Sequence, residues 1–571
     1  MEELKHNMRN LECSEARIDF DYKLGTGSLV RMEKGVVVLN IKYNGAYGMG
    51  EKYDCVNQKG KKVVNEVNEK FCFQGDKTYC PAPFFWTDTG VGVYVDTCYT
   101  SVFDFKEDEI VIETPEESKI ILMTGSPREI VSSYIDIFGD PDLPPEWAFG
   151  VWISANRWND ERLTLDQIDK LREYDFPASV IVLEAWSDEA TFYKWNPGKW
   201  PDPEGMIKKI HDAGLKLVLW QIPVYKKMGA DEVPNEQNKL DEEEAIKNRL
   251  CLFEDNGEPY RIPEGNWFAG SLVPDFTNPQ TYDSWFGKRQ YLLDMGVDGF
   301  KTDGGEHIHS EHVRFFDNSN GLEGKNKYAR DYISAYKKFV GKERVIFSRA
   351  GFSGQHRISI QWAGDQQSRP EEMKSVLKAG LSAAATGIIF WGFDIAGFAG
   401  ALPSMDLYRR ATQFACFCPI MQWHSEPDGG QFKDLMAGSS GENERSPWNI
   451  AKAYDCPEFI DEMRYWHKLR EELRPYIYET AKKCVADKTP MMKPLFYLWP
   501  EDKNVLNCDD EYMFGDDYLV APYMEENQTH REVYLPSGTW KHFFSNDIFA
   551  GKQVINVGGD GKIPVFIKLK E

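Results

Sequence analysis

The sequence predicts a multidomain α/β protein in which a central (β/α)8 barrel is flanked by an N-terminal β-sandwich and a small C-terminal β domain. Three observations predict it. Residues 1–145 carry short alternating runs punctuated by Gly, Asn and Asp. A proline-dense break follows at Asp140–Trp147. Beyond it, apolar runs alternate with helical stretches until eight candidate strands have passed.

The elements follow in chain order. Gly35–Lys42 and Val91–Asp96 have the period-two pattern of antiparallel strands with one buried face, so residues 1–143 are assigned to the sandwich. In Asp140–Trp147, Pro141, Pro144 and Pro145 withdraw backbone donors and forbid regular structure. Residues 144–455 are assigned to the barrel. Its candidate strands are Phe149–Ser154, Ser179–Trp186, Lys216–Ile222, Gly299–Asp303, Val345–Arg349, Ser359–Asp365, Gly387–Asp394 and Phe414–Gln422. Several are continuous apolar runs, as parallel strands buried on both faces require. Leu163–Tyr174 and Pro203–Ala213 read as helices, the second closed by Gly214. Residues 224–278 are too long for a plain loop; with a charged helix over Asn235–Asn248, they read as an insertion after the third strand. A helical connection spans 456–488, with Phe459, Met463, Trp466, Leu469 and Leu473 at helical spacing. Residues 489–571 return to short strands and turns.

Composition narrows the function classes. Lys and Arg total 67 against 91 Asp and Glu, a net charge of −24, and that field repels a phosphate backbone, so nucleic acid is not an expected partner. No run of about 18 uncharged apolar residues exists, so no membrane span is expected. The 11 cysteines are odd in number and form no Cys-x-x-Cys pair, and the N-terminus has no apolar signal core; both fit a reducing cytoplasm. Aromatic residues reach 14%, with 17 Trp, which suits large cores and equally suits stacking on a sugar face.

Barrel enzymes hold their catalytic groups at the carboxyl ends of strands. The fourth strand ends in Asp303 and the sixth in Asp365. Alone, either is as well explained as a cap on the next helix. Together, on neighbouring even strands, they are the minimum set for glycoside hydrolysis: one carboxylate attacks the anomeric carbon and one acid protonates the departing oxygen. Other strand ends offer Glu184 and Trp186, Arg349, Trp391 and Asp394, and His424. Carboxylates, Arg and His can pair with hydroxyls while an indole covers a pyranose face. Arg349 would also favour the ionised form of a neighbouring carboxylate. A competing zinc-hydrolase reading rests on His307, His309 and His312 beside Asp303, but their spacing is a weak metal signature and no second His pair ends another strand.

At these residues the chain resembles glycoside hydrolase family 31, whose members include α-glucosidases, α-xylosidases, α-galactosidases, sulfoquinovosidases and a few lyases and transglycosylases. The resemblance is carried in order by Tyr47–Tyr53, Pro144–Gly150, Asp275–Pro279, Gly299–Asp303, Trp362–Ser368, Phe390–Phe398, Met421–His424, Leu469–Tyr478 and Gly515–Pro522. It implies an exo-acting, retaining mechanism on a terminal α-linked sugar, with Asp303 as nucleophile and Asp365 as acid and then base. It implies that Arg349, Trp362, Asp394 and His424 line the sugar pocket; Glu184, Trp186, Lys301 and Trp391, from strands two, four and seven, are further substrate-binding candidates read from the strands themselves. It implies no metal and no organic cofactor and a small-molecule or oligosaccharide substrate; members are often oligomeric, so a homo-oligomer is one of the states left open.

Three departures from the family pattern unsettle the identity of the sugar. The second strand ends Glu184-Ala-Trp186 where an Asp-x-Asp is usual. Arg369-Pro370 follows Ser368 in place of an aromatic. Gln422-Trp423 precedes His424 in place of Arg-Asn or Arg-Asp. The expected substrate is therefore left open among α-galactoside, α-glucoside, α-xyloside and modified sugars. The sequence also ends soon after Phe566, which implies that the family's distal C-terminal β domain is missing. A lyase or transglycosylase on the same scaffold is the enzyme alternative. A non-catalytic carbohydrate-binding protein is the other, and the intact pair of acids argues against it.

Overall fold

The structure, a computed structural model, describes residues 8–12, 17–20, 28–33, 35–115, 118–156, 158–424 and 444–570. Cys13 and Arg157 therefore lie outside the described residues, as does the segment that follows His424.

The N-terminal region is a sandwich of two antiparallel sheets. In the outer sheet, Val36–Asn40 and Glu109–Glu113 alternate between buried and accessible residues, so one face meets the core and one meets water. The inner sheet differs. Pro81–Thr87 is buried at every position, because its second face packs on the barrel. There Trp86 Nε1 donates to the carbonyl of Ala385 at 2.8 Å and Ser382 Oγ donates to the carbonyl of Gly50 at 2.8 Å, while the Tyr47 ring stacks on Phe496 of the C-terminal region at 4.0 Å. The barrel helix Pro370–Ala385 turns Ser382 to that sheet, and its Oγ also lies 3.1 Å from the Gly48 carbonyl.

Eight parallel strands form the barrel: β1 (Val151–Ala155), β2 (Val180–Leu183), β3 (Lys216–Gln221), β4 (Gly299–Thr302), β5 (Val345–Ser348), β6 (Ile360–Trp362), β7 (Trp391–Gly392) and β8 (Met421–Trp423). Neighbours pair in register from β1 to β7, β1 also pairs with β8, and a parallel bridge between Asp394 and Gln422 closes the ring. Side chains fill the interior: Trp152, Phe347 and Trp362 form a chain with ring centroids 5.2 and 5.5 Å apart.

Two expectations need correction. Phe414–Gln422 is not one strand, because Phe414, Ala415 and Cys416 complete the helix Met405–Cys416 and the strand begins only at Met421. A short apolar run fits a buried helix end as well as a buried strand, and Pro419 separates the two here. Nor does an α-helix join β5 to β6; the described link carries only the 3-10 turn Gln355–Arg357. Helix Pro127–Phe138, from before the barrel, packs on that turn, with His356 against Tyr134 and Phe138.

The insertion after β3 holds helix Glu236–Lys247, capped by the Asn235 side chain. Its strand Phe253–Glu254 pairs antiparallel with Val313–Arg314 from the loop after β4. Helix Glu458–Asp487 runs on to a six-stranded antiparallel C-terminal sheet and a separate two-stranded one. Arg470, buried in that helix, donates to the carbonyls of Phe149 (2.9 Å), Cys416 (3.1 Å), Cys418 (2.5 Å) and Pro419 (2.6 Å), which tie the start of β1 to the run before β8. Arg470→Met is expected to leave these carbonyls unsatisfied at about 1–3 kcal/mol each, offset in part by relief of a buried charge. A drop of several degrees in calorimetric Tm checks it, and an unchanged Tm would refute the assigned role.

Candidate active site

Asp303 and Asp365 lie just past the carboxyl ends of β4 and β6. Arg349, just past β5, stands between them. Its Nη1 is 3.2 Å from Asp303 Oδ1 and 3.2 Å from Asp365 Oδ2. Two oxygens within 3.2 Å of one nitrogen are separated by no more than twice that distance, 6.4 Å. The rest of the guanidinium is held in a fork by Glu306, with Nε and Nη2 each donating at 3.1 Å to the two carboxylate oxygens. Aromatic rings flank it, Tyr79 from the N-terminal sandwich at 4.6 Å and Trp267 from the insertion at 5.3 Å.

The two acids sit in different surroundings. Asp303 accepts from the Trp220 indole at 2.9 Å, from the Gly304 amide at 2.8 Å and from Arg349, three donors that suit an acceptor-only carboxylate. Asp365 is pushed up to about 8 by burial first; Arg349 pulls it back, and the negative charge of Asp303 adds to the rise. Such surroundings are how a buried site keeps a carboxyl group protonated and able to donate.

Gly364 sets the aim of Asp365. Its φ is +72°, and an added Cβ would lie 2.4 Å from the Tyr79 ring. Tyr79 cannot swing aside, because it is buried and its hydroxyl donates to the Lys70 carbonyl at 2.5 Å. Gly364→Ala is expected to displace Asp365 and lower kcat by about 100-fold. Steady-state rates alongside an unchanged circular-dichroism spectrum would show this, and a wild-type kcat would refute it.

Beside the acids lies a second group of buried charged residues. Lys301 projects inward from β4, donates to Glu184 at 2.6 Å and lies 4.3 Å from the centre of the Trp362 ring. Burial works against its charge, but Glu184, Asp394 and Asp303 outweigh burial and hold its pKa above the usual lysine range. Burial raises Glu184 to about 7, against the pull of Lys301. Burial drives His424 well below the usual histidine range, so its 3.5 Å contact with Glu184 is made by a neutral imidazole. Asp394 accepts from Gln422 Nε2 at 2.6 Å, and Phe398 stacks on His424 at 4.8 Å.

Eight of the ten expected residues, Asp303, Asp365, Arg349, Trp362, Asp394, His424, Glu184 and Lys301, belong to this one constellation of contacts and charges. The other two are placed differently. Trp391 turns out of the barrel: its Nε1 donates at 2.7 Å to Glu51 of the sandwich, and an added Cβ at Gly380 would lie 2.9 Å from its ring. Trp186 is fully buried, donates to the Trp220 carbonyl at 2.9 Å and packs edge-on against Trp195, so it buttresses Trp220. The histidine cluster does not converge: among the described residues only Cys508, Asp510 and Glu511 bring three ligand atoms within 4.8 Å of one another. Arg531 already pairs with Asp510 and Glu511 there. The ten described cysteines are free thiols. No described helix is long and apolar enough to cross a membrane.

Sequence reasoning passed over Trp220, Glu306, Tyr79 and Trp267. Trp220 stands near the end of β3 and was open to the same strand-end reading that found Asp303. Tyr79 and Trp267 come from another domain and from an insertion, and no spacing in the barrel announces them.

Three domain profiles match the chain: the glycosyl hydrolase 31 N-terminal galactose mutarotase-like domain over residues 23–104, the glycosyl hydrolases family 31 TIM-barrel domain over 141–480, and the glycosyl hydrolase family 31 C-terminal domain over 488–570. The isomaltosyltransferase of Sporosarcina globispora is 34% identical over 560 residues, covering 91% of this chain and 50% of its own length; the chain thus spans half of that relative. The 1,3-alpha-isomaltosidase of Kribbella flavida is 34% identical over 536 residues, covering 88% of this chain and 72% of the relative. The cycloalternan-degrading enzyme of Trueperella pyogenes, solved with a covalent intermediate, superposes with a TM-score of 0.87 at 33% identity, covering 97% of this chain and 79% of that one.

Proposed function

Since the chain belongs to glycosyl hydrolase family 31, we propose that it is an exo-acting, retaining α-glycosidase that takes an isomaltosyl unit from the end of an α-glucan oligosaccharide. The observation that carries the mechanism is the shared Arg349 nitrogen. It holds one oxygen of each acid within 6.4 Å of the other, which accords with the separation of about 5–5.5 Å between the carboxyl groups of a retaining pair. Asp303 attacks the anomeric carbon while Asp365 gives its proton to the departing oxygen. Asp365 then takes a proton from the water that releases the sugar from Asp303. Arg349 keeps positive charge beside Asp303, and Glu184, Lys301, Asp394 and neutral His424 hydrogen-bond the sugar hydroxyls, with the Trp362 indole beneath.

The choice of an isomaltosyl unit rests on the relatives, whose names specify isomaltosyl chemistry and, in one case, an α-1,3 bond. The test is hydrolysis across p-nitrophenyl α-glucoside, α-xyloside, α-galactoside and α-isomaltoside. The isomaltoside is expected to give the highest kcat/KM, and a preference for xyloside or galactoside overturns the assignment. A second reading, transfer of the same unit to a sugar, is favoured by the isomaltosyltransferase relative. Product analysis with and without added acceptor separates them: hydrolysis yields free isomaltose in both cases, whereas transfer yields a longer oligosaccharide once acceptor is present.

A further inference from the structure

Away from the catalytic pocket, a cleft of about 690 Å³ opens between helix Met405–Cys416, helix Glu458–Asp487 and two C-terminal loops at Asn527–Thr529 and Gly559–Lys562. We propose that this cleft is a second binding site, for a neutral oligosaccharide, and that it holds the chain of a substrate outside the catalytic pocket. The proposal goes beyond the assignment of an activity, and its choice of an α-glucan as the ligand rests on that assignment.

Charge identifies the class of ligand. The walls carry three cations, Arg409, Arg410 and Lys562, and three anions, Asp406, Glu462 and Asp560. On a chain with a net charge of −24, this cleft is locally balanced, and neither a phosphate nor a polycation gains net Coulomb energy there. A neutral molecule rich in hydroxyls does gain, because carboxylates accept from hydroxyls and guanidinium groups donate to them.

Rigidity points the same way. Arg410 Nε donates to Asp406 at 2.7 Å and its Nη2 to the Gln528 carbonyl at 2.7 Å. Arg409 Nε donates to Glu462 at 2.5 Å, and Gln413 to the Gly561 carbonyl at 2.9 Å. These planar groups are fixed before a ligand arrives, so binding orders little more of the wall. The bonds named use only one or two of each guanidinium's five N–H groups. At the lip stands Tyr465, 45% exposed, its ring set edge-on to buried Trp466 at 5.1 Å and its face approached by Lys562 Nζ at 5.7 Å. An exposed ring beside fixed planar polar groups is the pairing a pyranose requires: one face to stack and a rim of hydroxyls to bond. The cleft also has a useful position. Helix Met405–Cys416 is the helix that follows β7, after the loop 393–404, and helices of a parallel barrel begin on the side of the strands' carboxyl ends, so Asp406 in its first turn is on the side of the barrel mouth.

The test is native electrophoresis of the full chain through gels containing dextran, with Asp303→Asn as background so that the polymer survives the run. Retardation is expected, and adding Tyr465→Ala or Lys562→Ala should weaken the apparent affinity by about fivefold or more. Tyr465→Ala alone should leave turnover of an aryl α-glycoside and the Tm unchanged. No retardation of the background chain, or retardation that both substitutions leave intact, overturns the proposal. Failure of the enzymatic assignment would be read separately, as absent turnover in the unsubstituted protein.

Discussion

Asp303→Ala is expected to lower kcat for an aryl α-glucoside or α-isomaltoside by about 10⁴-fold or more, because it removes the atom that forms the covalent bond and no neighbour stands in for it. The substitution also leaves a space lined by the Trp220 indole, the Gly304 amide and Arg349. Those donors are arranged for an anion. Added azide or formate should therefore occupy the space and restore part of the rate, and azide should yield a glycosyl azide of anomeric configuration opposite to the substrate. Chemical rescue followed by product NMR checks both. A variant retaining near-wild-type turnover would remove Asp303 from the mechanism.

Asp365→Ala is expected to act selectively. A p-nitrophenolate departs without much help, whereas a sugar alkoxide needs a proton, so oligosaccharide turnover should fall by about 10²–10⁴-fold and aryl glycoside turnover by much less. The pH profile should change with it. Asp365 works in its protonated form, and burial holds its pKa near 8. In the unsubstituted enzyme kcat/KM should then fall as pH rises through about 8, as the proton is lost, and Asp365→Asn should abolish that limb. A limb that persists in Asp365→Asn would assign it to another group.

Asp303 and Asp365 could be picked out because a parallel barrel brings the residues after its strands to one mouth, and these two acids follow the fourth and sixth strands. The error at Trp391 has an equally local cause. Side chains alternate inward and outward along a barrel strand. With Asp394 facing inward, the residue three positions earlier faces outward, and Trp391 meets Glu51 and the helix that holds Gly380. Parity was available in the sequence and an aromatic at a strand end obscured it. Phe414 failed for a different reason: the run from Phe414 to Ile420 is apolar throughout, and only tertiary packing divides it into helix, turn and strand. The carboxyl spacing was not legible at all, since Arg349 fixes it through space.

The sandwich's share in the catalytic wall bears on how activity is acquired in time. Gln74 donates to the Asp365 carbonyl across 291 positions of sequence, and Tyr79 covers Arg349 from the same loop. During synthesis at about 5–20 residues per second, that loop waits roughly 15–60 s for its partner to emerge. The sandwich has its own core in the meantime, built on Leu39, Phe85, Phe103 and Ile110, so it can fold early and dock late. Activity regained after dilution from denaturant should accordingly lag behind the recovery of secondary structure, since the last event is the seating of one finished domain on another.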